Sequence, residues 1–185
     1  KFQIGVKAKA SNNHLNTILS FNNHNVKTLR GEINTETSFF SDDKGRSTAN
    51  VLFKPSCVMV GDRVWNIHPS SIVYRENYLT ITDFKLSHQN QYLAINGTAT
   101  KDLKESVVVN FNDIDVNYIL NFVDFHAVEF EGNASGNAFI AAALGNPQAF
   151  ANIKVENFKF EKGNMGTLNA DIEWDRKEQQ INIDA

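Results

Sequence analysis

The sequence is poor in the residues that staple or punctuate a chain: of 185 residues, one is cysteine, three are proline and ten are glycine. A lone thiol forms no internal disulfide, so the fold is not a small cross-linked scaffold. Cys57 precedes Val58, Met59 and Val60, with neither a CxxC spacing nor a neighbouring His. The expectation there is a small buried thiol rather than a metal ligand or nucleophile. So little proline and glycine argues against disorder, and no run approaches the ~18 apolar residues of a membrane-spanning helix. Charge of one sign is also in short supply, with 18 basic against 21 acidic residues and a formal charge of −3. The basic residues are scattered singly and make no stripe able to displace counterions, which excludes nucleic acid as a partner. Also missing are an initiator Met and a signal peptide. The first residues, Lys1 to Ala8, and the last, Ile181 to Ala185, both alternate polar and apolar. The expectation is therefore that residues 1–185 are a single internal segment of a longer protein, with any anchor or targeting signal outside it.

What is present is period-two alternation. It runs through Leu15/Thr17/Leu19/Phe21, Val51/Phe53, Leu79/Ile81, Leu93/Ile95, Val107/Val109/Phe111, Phe130 onward, Ile153/Val155 and Leu168/Ala170/Ile172/Trp174, which is the pattern of half-buried strands. Turn signals separate these runs at Ser41 to Gly45, Arg75 to Asn77, His88 to Asn90, Thr100 to Asp102, Gly145 to Pro147, Glu161 to Asn164 and Arg176 to Glu178. Such short connections make neighbouring strands antiparallel, since a parallel pair needs a long crossover. The pattern predicts an all-β chain of about a dozen strands. One stretch departs from it. Val116, Ile119, Leu120 and Val123 fall at i, i+3, i+4 and i+7, with Asp113 or Asp115 placed to cap, so a short amphipathic helix is expected near 113–124. The register of Ile81 to Leu86 slips by one, which predicts a β-bulge. Gly132, Ala134, Gly136 and Ala138 share one face, which allows close approach or sharp bending.

Candidate chemistry is sparse. The histidines His14, His24, His68, His88 and His126 lack ligand spacing and are expected on exposed turns or loops. Asp113 and Asp115 lack the Gly and later Glu of a calcium loop. Asp42 to Gly45 is expected at a hairpin tip rather than in a ligand site. There is no GxSxG, P-loop or dinucleotide fingerprint, so neither an enzyme, a metal site nor a cofactor is expected. The 14 phenylalanines outnumber four tyrosines and two tryptophans, a balance that suits hydrocarbon better than sugar. The candidate apolar face comprises Ile4, Val6, Leu19, Phe21, Val51, Phe53, Ile81, Leu93, Ile95, Val107, Val109, Phe111, Phe130, Ile140, Ile153, Val155, Leu168 and Ile172. Two arrangements remain open: an unsealed curved sheet, and a sandwich whose faces close on one another. A single slip on any strand would reverse its faces.

The order of the segments Trp65 to Tyr74, Leu79 to Leu86, Gln91 to Gly97, Asp113 to Asp115, Phe130 to Gly136 and Gly166 to Asp175 resembles the repeating units of the TamB family of translocation and assembly module proteins. These belong to the AsmA-like group, and the likeness is to the form they take in Bacteroides-type bacteria. The resemblance implies an elongated antiparallel sheet curved into an open apolar groove, the β-taco. It implies a periplasmic segment of an inner-membrane-anchored protein, with the anchor outside this segment. Its cargo would be phospholipid acyl chains moving passively between the two membranes, and its partner a BamA-like outer-membrane barrel. Two rival expectations stand beside it. One is a structural module that binds an outer-membrane partner by strand addition; the other is a carbohydrate-active β-domain, which requires paired acidic residues in a cleft.

Overall fold

Alternating side chains can be shared between a wet and a dry face only if the backbone is extended and paired, and the chain pairs nearly everywhere. The computed structural model describes residues 2–23, 29–41, 43–118, 129–161, 163–175 and 180–185. The strands are β1 (Phe2–Ser11), β2 (His14–Asn23), β3 (Leu29–Ser41), β4 (Ser47–Phe53), β5 (Ser56–Val60), β6 (Arg63–Ile67), β7 (Ser70–Arg75), β8 (Tyr78–His88), β9 (Gln91–Ala99), β10 (Ser106–Asp115), β11 (Phe130–Ala141), β12 (Gln148–Phe160), β13 (Gly163–Asp175) and β14 (Gln180–Asp184). All fourteen belong to one antiparallel sheet.

The sheet is a meander in which each strand pairs with its successor, once two proline breaks are taken into account. β3 pairs with β4 through Thr35 to Ser41 and with β5 through Leu29 to Glu32. β8 pairs with β7 through Tyr78 to Thr82 and with β6 at Leu86 and Ser87. β4 and β5 are thus two halves of one rank, interrupted at Lys54-Pro55, and β6 and β7 are halves of the next, interrupted at His68-Pro69. Proline offers no amide to the ladder, so each break is bridged by its neighbours. The Lys54 amide donates to Asn34 O at 2.9 Å, the Asn34 amide to Ser56 Oγ at 2.9 Å, and the His68 amide to Lys85 O at 2.9 Å. The fourteen strands make twelve ranks, which at ~4.8 Å per gap give a sheet about 53 Å across.

Three bulges of one kind bend it among the described residues, beside a further register shift in β13 opposite Phe158 and Lys159. They fall between Ile81 and Phe84 in β8, Phe111 and Ile114 in β10, and Val155 and Phe158 in β12. Each contains a short polar residue in the left-handed region, Asp83 (φ 54°), Asp113 (φ 54°) and Asn157 (φ 53°), the side chains that tolerate that conformation best after glycine. Two of the freed amides find side-chain acceptors on the next strand: Asp83 N donates to Asn96 Oδ1 at 2.6 Å, and Asp113 N to Ser135 Oγ at 2.9 Å. Successive bulges step toward the end of the sheet where β8 finishes, since Ile95 pairs with Val109 before the β10 bulge and Ala134 with Val155 before the β12 bulge. Each adds local twist. The β8 bulge lies where the slipped alternation predicts it. The row of small residues in β11 serves close approach: a Cβ on Gly136 would lie 2.1 Å from Asn152 O.

The expected helix near 113–124 is corrected in its first part. Asp113 to Asp115 belong to β10, because the bulge absorbs Asn112 and Asp113 and pairing resumes with Ile114 opposite Ala134 and Asp115 opposite Asn133. Only 116–118 is helical among the described residues, and 119–124 lie outside them. Asp115 caps this turn, its Oδ1 accepting from the Asn117 amide at 2.9 Å.

Candidate functional site: one apolar face

Residues directly opposite in adjacent strands point to the same side of a sheet, so the register alone assigns the faces. One rung runs Ala10, Leu15, Thr37, Val51, Ile72, Ile81, Gly97, Val107, Ile140, Ala149. Another runs Ile95, Val109, Ala138, Ala151, Ile172, Ile183, and a third Leu86, Leu93, Phe111, Gly136, Ile153, Ala170. Val6, Leu19 and Ile33 share a rung, as do Phe53 with Thr35 and Ile114 with Ala134, Val155 and Leu168. Ile4 and Phe21 are opposed in β1 and β2, Phe21 being placed by its backbone register alone. Phe130 joins the same side through its ring, which stacks on Phe158 with centroids 5.9 Å apart. All eighteen candidate positions therefore lie on one face of the sheet. The faces survive the bulges because each bulge restores the parity that its extra residue removes.

Burial on this face is uneven. Val58 (7% exposed), Trp65 (3%), Ile67 (5%) and Ile114 (9%) form its centre. Ile33, Phe53, Val60, Phe84, Leu86, Phe111 and Tyr118 pack around them. Trp65 on β6 and Ile114 on β10 stand three ranks apart, about 14 Å on a flat sheet. Their shared cluster brings side chains from the two ranks together over β8 and β9, and Trp65 meets Tyr118, in the turn after β10, edge-to-face at 6.4 Å. Phe53 and Phe84 likewise meet edge-on at 5.6 Å across the intervening β7. Away from the centre the face is open, with Ile4 63%, Val6 62% and Ile183 63% exposed. Among the described residues no large side chain is fully buried. The accessible surface is 12110 Å², against roughly 8,900 Å² for a compact monomer of this mass. These are the proportions of one layer rather than of two closed sheets.

The opposite face is mostly polar, although Ile18, Phe40, Leu52, Val64, Phe139 and Phe150 stand on it 37–51% exposed. Lys54 pairs with Glu36 at 3.0 Å, Lys159 with Glu131 at 2.8 Å and Lys154 with Glu156 at 2.6 Å. Thr80 and Thr98 share a hydrogen bond, Asn152 donates to Asp171, and the Lys85 ammonium lies 5.1 Å from the Tyr92 ring centre. The lysines hold the Glu36 and Glu156 carboxyls below their ordinary range through hydrogen bonding first and charge second.

One end of the apolar face is polar. Arg63 follows Val60 on the outermost rung. Its guanidinium donates to Gln91 Oε1 at 3.2 Å and lies 5.8 Å from the Tyr118 ring centre. Gln91, 6% exposed, donates in turn to Asp113 O at 2.5 Å, and Asn90 donates to Asp113 Oδ2 at 2.8 Å. His88 donates from Nδ1 to Val64 O at 2.8 Å, its ring 5.8 Å from that of Trp65. Burial raises the Tyr118 phenol above its ordinary range, against the opposing pull of Arg63.

Two further expectations are corrected, the second in part. Cys57 is exposed, because Val58 takes the inward position and Cys57 faces out between Glu32 and Asn66. Of the described histidines, His68 is exposed in the break between β6 and β7, as expected, and shares a hydrogen bond with Ser87 Oγ at 2.7 Å, whereas His14 opens β2, exposed, sharing one with Ser38 Oγ at 2.9 Å, and His88 closes β8, half-buried. His24 and His126 lie outside the described residues. No three His, Cys, Asp or Glu side chains converge as a metal site among the described residues, and no helix there is long and apolar enough to cross a membrane. The alternation runs also missed the centre of the face, Val58, Trp65, Ile67 and Ile114, and the polar end at Arg63. Comparison with protein-family models, curated proteins and solved structures returned no match.

Proposed function

We propose that this chain is a segment of a lipid conduit, in which phospholipid acyl chains travel along the apolar face of the sheet while the polar face meets water. The observation that supports this most is the continuity of that face: rungs of Val, Ile, Leu, Phe, Ala and Gly run across successive ranks, with no second layer over them among the described residues. Each methylene withdrawn from water is worth about 0.8 kcal/mol, so a sixteen-carbon chain needs on the order of 13 kcal/mol of cover to cross an aqueous gap. A sheet about 53 Å across is wide enough to hold a whole acyl chain. The gathering of Trp65, Ile67 and Ile114 into one cluster supports curvature toward the apolar face and an open groove in the β-taco manner. The mechanism is passive and needs no cofactor and no catalytic residue.

The resemblance to TamB proteins supports the same reading. It adds a periplasmic location, an inner-membrane anchor elsewhere in the protein, a role in outer-membrane biogenesis, and a BamA-like barrel as partner. A second reading, an interaction module that accepts a partner's strand along β1, draws on the exposure of Ile4 and Val6.

The test is photo-crosslinking in cells that have an outer membrane, with the reactive group placed in turn at Ile95, Val109 and Asn110. Ile95 and Val109 are opposed on the apolar face, and Asn110 is the next residue on the other. Lipid adducts at the first two and none at Asn110 are expected. Labelling that ignores the face, or protein adducts alone at Ile95 and Val109, would reject the conduit.

A further inference from the structure

Outside the bulges, where the register gives Asp83 and Asp113 no face, the strand residues on the apolar face include a single Asp, Glu, Lys or Arg among those described, and that one is Arg63. A charge on an otherwise uncharged face needs a reason, since desolvating it is costly unless it is paired. Among the described residues the pairing is incomplete. A guanidinium has five N–H donors, and the one hydrogen bond of Arg63 there is to Gln91 Oε1. No carboxylate pairs with it among the described residues. Asp62 and Asp115 come near enough to act on Tyr118, yet neither forms an ion pair with Arg63. The guanidinium is nevertheless fixed, by the Tyr118 ring on one side and by Gln91 on the other, and Gln91 is itself buried and anchored to Asp113 O. A fixed, half-buried guanidinium with N–H groups open to solvent, at the last rung of an apolar face, has the chemistry of an anionic oxygen site, where planar donors meet a phosphate in pairs.

We propose that the Arg63 end of the face is a headgroup subsite, which holds the phosphate of a phospholipid whose acyl chain lies along the neighbouring apolar rungs. This rests on the conduit reading and adds to it a preference for an anionic headgroup and a fixed polarity for the bound lipid. Trp65, two residues on and pointing to the same side, reports on the site.

The chain has two tryptophans, so Trp174→Phe leaves Trp65 as the single fluorophore. The probes are lysophosphatidic acid with a brominated acyl chain and the monoacylglycerol with the same chain, both below the concentration at which they form micelles. Quenching of Trp65 should show the anionic probe binding about tenfold more tightly than the neutral one, the scale of one charge-assisted hydrogen-bonded contact. Arg63→Gln should bring that ratio close to one, while Arg63→Lys keeps part of it. Far-UV circular dichroism verifies that each variant folds, and should Arg63→Gln fail to fold, the ratio in the parent and in Arg63→Lys decides. Equal binding of both probes to the parent overturns the subsite and leaves the conduit standing. So does a ratio that Arg63→Gln does not change. Inorganic phosphate at millimolar concentration should leave the quenching intact, and relief by it would mean a free-anion site in place of a headgroup site. Failure of both probes to quench overturns the conduit and the subsite together.

Discussion

Replacing Ile114 and Ile4 by alanine, one at a time, probes how far the apolar face is sealed. Both residues lie on that face, but Ile114 is 9% exposed at its centre and Ile4 63% exposed on its first strand. The three carbons removed are worth about 2.4 kcal/mol when wholly withdrawn from water. Scaling by burial leaves about 2.2 kcal/mol at Ile114, and a cavity in the tight cluster with Trp65 and Ile67 raises the cost to about 3 kcal/mol. At Ile4 the same scaling gives about 0.9 kcal/mol, with no cavity to add. Guanidinium unfolding followed by far-UV circular dichroism measures both, provided that the slope with denaturant stays that of the parent. The expected result is a cost at Ile114 at least twice that at Ile4. Similar losses at the two sites, each near 3 kcal/mol, would refute a single open layer, because they would mean that Ile4 is covered as thoroughly as the centre.

The remaining predictions concern backbone spacing and acid stability. Gly136→Ala places a methyl 2.1 Å from Asn152 O, so β11 and β12 must separate, and a loss of more than about 2 kcal/mol is expected in thermal unfolding; an unchanged melting temperature would contradict the strand spacing there. Lys54 holds the Glu36 carboxyl below its ordinary value. A carboxyl depressed on folding adds stability above its unfolded pKa, and loses it as pH falls through the folded one. Lys54→Gln should therefore move the Glu36 titration, followed by carboxyl NMR, back up toward 4.5, and no movement would remove the ion pair from the account.

Long strands announced themselves because alternation over seven or more residues leaves only one parity that buries the apolar set. β13 was legible for that reason, Leu168 to Trp174 keeping one parity throughout, and the bulge in β8 was legible because its slip is itself a pattern. The centre of the face was harder. β5 and β6 have five residues each and end at proline breaks. In Arg63-Val64-Trp65-Asn66-Ile67 the apolar Val64 and Trp65 occupy opposite parities, so the pattern does not choose between faces. Pairing chooses: Trp65 is opposed to Val58 and goes inward, and Val64 is left 44% exposed. Arg63 follows Trp65 inward, and no local signal marks it, because its isolation on the face is a property of the whole sheet. The helix was placed too early because Asp113 resembles a cap in sequence, whereas the bulge that gives it a left-handed backbone depends on Ser135 of the next strand.

The unbroken succession of neighbours has a consequence for how such a molecule comes into being. Among the described residues no rank waits on a distant part of the chain, since every pairing joins one rank to the next, counting β4 with β5 and β6 with β7 as single ranks. Loop closure therefore costs little at each step, and the sheet can assemble progressively as its residues become available, faster than β architectures whose partners lie far apart in sequence. Lengthening is equally local. One further hairpin adds about 10 Å of width and disturbs no existing pair, so the span of the molecule is a quantity that descent can adjust by duplication alone.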